Sequence, residues 1–394
     1  MRWSLTGALG VALGLTAGCS RPGESPPVLA AGQPGTVCVR GDCRSGLGLL
    51  VRLGGESYAG EFRNGVPDGT GSIVYPNGQS YIGAFVAGRF EGQGTFQLAG
   101  GDVYSGGFLH GAPGGFGVLT YAGGGRYVGT WKAGLKHGEG FEIAPEGGVY
   151  SGEWRDGSPG GTGRETQPDG TMYVGRWRDG KRSGSGVLIG IGGYRYEGEF
   201  ADGKEQGRGK AVFDDGRRYE GGFAGGLPDG RGSIHFADGR EYEGGMKQGR
   251  LSGQGRMRFP DGSVIEGEYG EGALEGHAKR TDADGTVFEG AYASGLASGQ
   301  GELRYPDGRV LVATYRNGTP QGLATLRYPD GREAIQVFRR GQIVRSVPKE
   351  KFEAEQAKRK ELEAKREAAR PPRKRAPAAP KAAPPEREAP PPAG

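Results

Sequence analysis

The sequence has little with which to do chemistry. Its 394 residues include four histidines and three cysteines. The histidines, His110, His137, His235 and His277, fall at four different positions of a 23-residue period, so they do not line up into a metal site. No Ser, Cys or carboxylate pair stands once, outside that period, beside a suitable base. A catalytic constellation is therefore unsupported; the expectation is no enzyme, no cofactor and no metal. Long apolar runs are missing too, except at the front, where the run is too short to span a bilayer. Net charge is nearly absent from the body of the chain. Of 51 Lys and Arg against 46 Asp and Glu, 14 and 8 lie from Arg345 onward, which leaves 37 against 38. The basic pI of about 9.0 thus comes from the tail, and attraction to an anionic polymer or surface belongs there first. A solubilising tail without a partner fits the same composition.

What is abundant is glycine, 84 residues, in no collagen-like triplet. The glycines are positional. An octet Y-x-G-x-[FWY]-x-x-G returns every 23 residues, without insertion or deletion, from Tyr58 through Tyr81, Tyr104, Tyr127, Tyr150, Tyr173, Tyr196, Tyr219 and Tyr242. It then decays through Ile265, Phe288, Leu311 and Ala334. A fixed short period replaces the usual two or three domains with one quasi-linear array. Within the unit, Tyr58, Gly60 and Phe62 alternate, as do Gly71, Ile73 and Tyr75, the period of a half-buried strand. Asn64-Gly65 and Asn77-Gly78 are turn dipeptides, the second recurring as Asp-Gly at Asp169, Asp215, Asp238, Asp261, Asp284, Asp307 and Asp330. Each repeat therefore reads as a hairpin, with turn glycines taking positive φ and strand glycines leaving room for rings. Aromatics and aliphatics should line one face, with mostly Glu, Arg, Ser and Thr on the other. At ~4.8 Å per strand, thirteen repeats predict a twisted ribbon on the order of 120 Å long.

The combination of Y-x-G-x-[FW]-x-x-G with a following G-x-G and a second aromatic resembles the MORN repeat, over Gly35 to about Val344. The resemblance implies an all-β fold, an elongated antiparallel β-hairpin ribbon or solenoid. The roles it implies are scaffolding, self-association and membrane-proximal tethering, with lipid headgroup binding in some members. The departures from its pattern are Glu142, Glu165 and Arg280, polar where the second strand should point an apolar residue inward, and Gln167 and Asp282 in place of an aromatic. They mark candidate bends or contact sites. Gly175 to Lys181 and Gly198 to Lys204 imitate a phosphate-binding loop, but the next residues are Arg182 and Glu205, not Ser or Thr, and the context is strand and turn. The Asp-Gly aspartates, one per repeat, would be ~9.6 Å apart, too far to share one calcium ion.

The ends differ from the array. Residues 1–18 read as a signal peptide, and Thr16-Ala17-Gly18-Cys19 resembles the lipobox of bacterial lipoproteins, in which Cys19 is lipidated. Ser20 after it resembles the signal for the outer membrane, so the expected location is exported, lipid-anchored and facing the periplasm. Residues 19–35, rich in Pro and Gly, form a tether. Residues 36–57 form a degenerate capping repeat, in which Cys38 and Cys43, the pair left once Cys19 carries lipid, are expected as a disulfide; a Cys-x4-Cys metal site competes but lacks further ligands. The array occupies 58–344, a charged solvated helix 345–370, and a disordered basic Pro/Ala-rich tail 371–394.

One candidate binding face stands out. Trp131, Trp154 and Trp177 share a column in adjacent repeats, flanked by Lys132, Lys136, Arg155, Arg176, Arg178, Lys181 and Arg182. Tryptophan as bulky filler, with the bases on the solvated side, is the plain reading; a platform for a glycan or anionic headgroup is the sharper one. The expected partners are a second copy, as a homodimer, or an envelope protein, then membrane lipid, lipopolysaccharide or peptidoglycan through the trough and basic tail; nucleic acid is not expected.

Overall fold

The computed structural model describes residues 29–369. The expected signal peptide, Cys19 and the basic tail lie outside them. The chain divides into two units, Met1–Leu296 and Ala297–Gly394. Both are open antiparallel sheets of consecutive hairpins.

In the first unit the strands begin with β1 (Thr36–Gly41), β2 (Gly46–Arg52), β3 (Ser57–Arg63) and β4 (Val66–Val74), and continue to Val287–Ala293, each paired with its neighbours in sequence. Asn64 (φ 53°) and Gly65 (φ 80°) turn the chain between β3 and β4, both left-handed, the geometry whose twist suits a tight hairpin. The residue at Asn64's position has positive φ in all thirteen repeats, whether it is Asn, Asp, Ala, Arg or, at Gly225, glycine. The wider turn is held by the backbone N–H of Tyr75, which donates to Gln79 (2.9 Å), and that of Gly78, which donates to Tyr75 (3.1 Å).

A ring on a glycine floor makes the core. Tyr58 lies across Gly60 and Gly71, which face each other in register. The ladder shifts between Gly60 and Phe62, and there the Tyr58 hydroxyl donates to the Glu61 carbonyl at 3.0 Å. The same bond recurs from Tyr81, Tyr104, Tyr127, Tyr150, Tyr173, Tyr196, Tyr219 and Tyr242 at 2.8 to 3.0 Å. A tyrosine, rather than phenylalanine, heads each of these nine repeats because the bulge exposes a carbonyl that needs a donor. From Tyr58 to Tyr196 each of these rings then meets two others edge-on. Tyr58 touches Phe62 at 5.0 Å and Phe85 at 4.9 Å, and such T-shaped contacts run unbroken from Phe62 to Tyr219.

This corrects one expectation. The aromatic stripe is not an open trough: Tyr58, Tyr127, Tyr173 and Tyr196 are 0 % exposed and the fifth-position rings are also buried. Edge-on neighbours close the sides of each ring and glycine closes the floor, so the stripe is covered by its own chain. The polar departures do not interrupt pairing either. Glu142 stays in register with Tyr127 and Tyr150, Glu165 with Tyr150 and Tyr173, and Arg280 with Ile265 and Phe288.

At the N-terminal end β1 and β2 form a hairpin with a shift between Cys38 and Arg40, and the Cys38–Cys43 disulfide is present. Of the expected tether at 19–35, residues 29–31 pack against the first hairpins. Leu29 is fully buried, and the Ala31 N–H donates to the Gly65 carbonyl at 2.7 Å, because an apolar Leu-Ala-Ala run here can pack where Pro and Gly cannot.

The second unit holds strands Leu296–Arg304, Val310–Arg316, Thr319–Arg327, Glu333–Arg339 and Gln342–Pro348, then the helix Lys349–Ala368. The last strand runs past residue 344, since Arg345 to Pro348 continue the ladder opposite Val337 to Ala334, and the helix begins only after Pro348. None of its residues is buried, as a solvated helix requires. Lys349 and Arg345 pair with Glu333 and Glu355 at its start.

Candidate functional site

Strand alternation sends neighbouring residues to opposite faces, and this splits the tryptophan cluster. Trp131, Trp154 and Trp177 are 8, 4 and 8 % exposed, each wedged between two tyrosines at 5.0 to 5.3 Å. Trp131 and Trp177 donate from Nε1 to the carbonyls of Gly117 and Gly163, both at 3.4 Å; the buried Nε1 of Trp154 has no partner among the described residues. Arg155, Arg176 and Arg178 are sequence neighbours of these rings and therefore stand on the other face, exposed. Lys181, opposite Arg178 at the hairpin turn, is exposed too, with Asp202 at 3.3 Å. Rings and guanidinium groups do not form one platform.

Two other basic residues do reach the tryptophan side. Lys136 pairs in register with Trp131, and Arg182 with Trp177, at a position filled by Pro67, Pro113, Pro159 and Pro228 elsewhere. The Lys136 ammonium is 4.5 Å from the Trp154 ring centre and 5.0 Å from that of Tyr127, and it pairs with Glu142. The Tyr121 hydroxyl donates to the same carboxylate. Burial pulls the Lys136 pKa below the ordinary lysine value, and Glu142 opposes that fall. Arg182 bonds Glu165 at 2.7 Å and lies 5.1 Å from the Tyr173 ring centre. Glu142 and Glu165 are thus internal partners for inward cations. They are neither bends nor open contact sites, and Lys136 and Arg182 are not on the solvated side. Only the register could reveal this, because the partners lie six and seventeen residues apart.

The Asp-Gly aspartates serve the turns. Asp169 accepts from the Thr171 N–H at 2.8 Å, and Asp238, Asp307 and Asp330 accept from Arg240, Arg309 and Arg332 at 3.1 Å. These backbone bonds hold the carboxylates below the usual range. The arginines return to the same aspartates and cover Phe236, Tyr305 and Tyr328 at 4.9 to 5.2 Å.

The remaining surface is the face opposite the rings. Register joins the second residue of each repeat to its fifteenth in one row, and in the first unit that row has two halves. Ser72, Ile82, Thr95, Ser105, Val118, Val128 and Phe141 follow one another across successive strands, and Arg164 is the single charge before Val187. From Glu197 the row alternates in sign through Lys210 and Glu220, then Glu243, Arg256, Glu266, Lys279 and Glu289. Ile82 is 61 % and Phe116 63 % exposed, and between them a shallow groove is lined by Gln93, Thr95, Ser105 and Val118. The sequence columns lead one to expect mostly Glu, Arg, Ser and Thr here.

Fold and surface define a hairpin-repeat protein whose rings build the core and whose opposite face meets its surroundings. Twelve segments match the MORN repeat model: 58–80, 81–103, 104–126, 127–149, 150–172, 173–193, 196–217, 219–239, 242–264, 266–287, 288–308 and 313–331. The chain belongs to the MORN repeat family, generally a non-enzymatic repeat scaffold for protein or membrane interaction. No curated protein matches the sequence. Among solved structures, the chain is similar to the TCP domain of SAS-4 (dCPAP) of Drosophila melanogaster, in complex with a proline-rich motif of Ana2 (dSTIL), at 17 % identity over 45 % of this chain and 84 % of that one, with a TM-score of 0.21. It is similar to the TCP10 domain of Danio rerio CPAP at 16 % identity over 70 % and 98 %, with a TM-score of 0.17.

Proposed function

We propose that the chain is a non-enzymatic, lipid-anchored scaffold of the bacterial envelope, held through Cys19 and working by protein–protein contact, self-association included. One observation carries the reading. The aromatic side is consumed by internal packing, while the opposite face of the first unit exposes Ile82, Phe116, Val174 and their neighbours, more apolar surface than a solvated sheet needs. The anchor rests on the lipobox-like residues before Cys19. Metabolic labelling of the full chain with a palmitate analogue in a two-membrane bacterium, followed by membrane fractionation, tests it. Label in the outer membrane that disappears in Cys19→Ala is the expected result; an unlabelled, freely soluble chain would overturn the anchor.

The second reading is binding of anionic headgroups, lipopolysaccharide or peptidoglycan. It is favoured by the exposed cluster of Arg155, Arg176, Arg178 and Lys181, joined by the basic tail and without the buried tryptophans. Salt-sensitive binding to anionic vesicles, lost when these four become Gln, is its signature.

A further inference from the structure

We propose that the largely uncharged central rows of the outer face of residues 46–189 are where a second copy of this chain docks, sheet against sheet. This rests on the scaffold reading and names its surface and partner.

The molecule contains its own comparison. The central row of this face, built on the same hairpins in the same unit, is charged from Glu197 onward and carries only Arg164 before it. A solvated sheet face would have no reason to change at that point. Ile82, Phe116 and Val174 are 61, 63 and 48 % exposed, and Phe141 is 36 % exposed. Between the strands Gly46–Arg52 and Lys181–Ile189 the face extends ~60 Å by ~20 Å, taking ~4.8 Å per strand and three outward rows. Two such faces in contact would remove on the order of 2,400 Å² from water, above the ~1,600 Å² of a standard stable interface.

Charge selects the partner. In the three central outward rows of this half the ionised residues are Arg126, Arg164 and Arg176 against Glu61, Glu139 and Glu153, equal in number and opposite in sign, while the row beside the tight turns adds Arg63, Arg89, Lys132, Arg155, Arg178 and Lys181 along one edge. A two-fold copy can set one group against the other, as self-complementary docking requires. The central row of the charged half carries Glu197, Glu220, Glu243, Glu266 and Glu289 against Lys210, Arg256 and Lys279, an excess of one sign that a copy docked on it would leave unpaired. Sheets packed face to face need side chains of this uncharged kind between them. Anchoring adds concentration: the span from Cys19 to Leu29 reaches at most ~36 Å, so a lipid on Cys19 would hold the repeats that carry this face beside one membrane, where copies meet.

The test uses the full chain in intact cells, with single cysteines introduced at Ser105 or Val128 on the uncharged half and at Glu220 or Glu243 on the charged half. Native Cys38 and Cys43 are tied to each other. A short bis-maleimide should give a product of doubled mass from Ser105→Cys and Val128→Cys, and none from Glu220→Cys or Glu243→Cys. Adding Val118→Glu to Ser105→Cys should cut the dimer roughly tenfold without moving the unfolding temperature, since the substituted side chain faces outward. Equal cross-linking from both halves would overturn the proposal as random collision. Adducts only with other proteins would remove the second copy and leave the scaffold reading standing. Thiols shielded from maleimide until lipid is extracted, with no adduct, would assign the face to the bilayer. Freely reactive thiols with no adduct at all would overturn both readings.

Discussion

A Cβ on Gly71 would lie 2.3 Å from the hydroxyl oxygen of Tyr58. Ring and glycine are therefore one unit, and the chain treats them so. Where the tyrosine gives way to Ile265, the corresponding glycine becomes Ala278; where it gives way to Leu311, Ala313 and Ala324 stand on the floor, each buried. The side chain that leaves and the methyl that arrives share the same space. Gly71→Ala should accordingly cost ~2–3 kcal/mol, as over-packing of a tight core does. Gly78→Ala, with open space but φ of +85°, should cost only ~1 kcal/mol. The decisive variant is Tyr58→Ile with Gly71→Ala: urea unfolding should show it more stable than the two single changes add up to, a coupling that vanishes if the glycine serves only the backbone.

The inward ion pair predicts a coupling of the same sign at a second place. Glu142→Leu leaves the Lys136 ammonium buried without its carboxylate, and Lys136→Pro leaves Glu142 without its cation; each should lose ~3–5 kcal/mol. The double change copies Pro113 and Leu119 of the preceding repeat, whose backbone bonds match: the Gly134 N–H reaches Pro113 as the Gly157 N–H reaches Lys136, both at 2.9 Å. It should equal or exceed the native chain, as replacement of buried pairs by packed apolar groups often does. A double variant as weak as the singles would show that the pair supplies stability an apolar core cannot.

Much of this was legible in the sequence because each column of the repeat has one structural duty. Tyr58, Gly60 and Gly71 recur unchanged as far as Tyr242, Gly244 and Gly255, and Phe62 recurs as an aromatic as far as Phe223, so their alternation gave hairpins, a ring face and turn glycines directly. What was illegible depends on register. The outer row interleaves the second and fifteenth residues of each repeat, so Ile82 and Thr95 are separate columns on paper and neighbours on the sheet. Lys136 and Glu142 likewise meet across a hairpin, and flanking position alone had put Lys136 in solvent. The end of the last strand was placed too early for another reason: Arg345 and Ser346 look like the start of the charged tail, yet their backbone groups still had Val337 and Gln336 to pair with.

Backbone strain at the tight turns gives a stabilising change. Ala133 has φ of +49°, where a side chain costs ~1–2 kcal/mol, while Asn64 and Asn317 hold the same position with the residue type that best tolerates it. Ala133→Asn should raise stability by ~0.5–1 kcal/mol. Calorimetry should show a higher unfolding temperature, and no rise would mean that neighbouring hairpins already absorb the strain.

Acid should weaken the array through its turns. Asp169, Asp238, Asp307 and Asp330 have folded pKa values held below the ordinary 3.8 by backbone N–H bonds. Depressed carboxylates add stability that is present above the unfolded pKa and is lost as pH falls through the folded values. The unfolding temperature should therefore be level down to about pH 4 and drop below it. Asp238→Asn keeps the acceptor and removes the titration, so it should flatten part of that fall.

Alkali should act on the rings with the reverse sign. Burial pushes Tyr81, Tyr173, Tyr219 and Tyr242 up to about 12 from an ordinary 10. A raised acid stabilises the fold fully below its unfolded pKa, and that contribution disappears as pH climbs through the folded one. Each of these hydroxyls must also stay protonated to donate to the carbonyl at its bulge. Phenolate absorbance should consequently lag free tyrosine above pH 10 and then rise together with loss of near-ultraviolet dichroism, the rings ionising only as the hairpins open. Ionisation near pH 10 with the dichroism intact would mean that these hydroxyls are solvated and that the bulge carbonyls find their donors elsewhere.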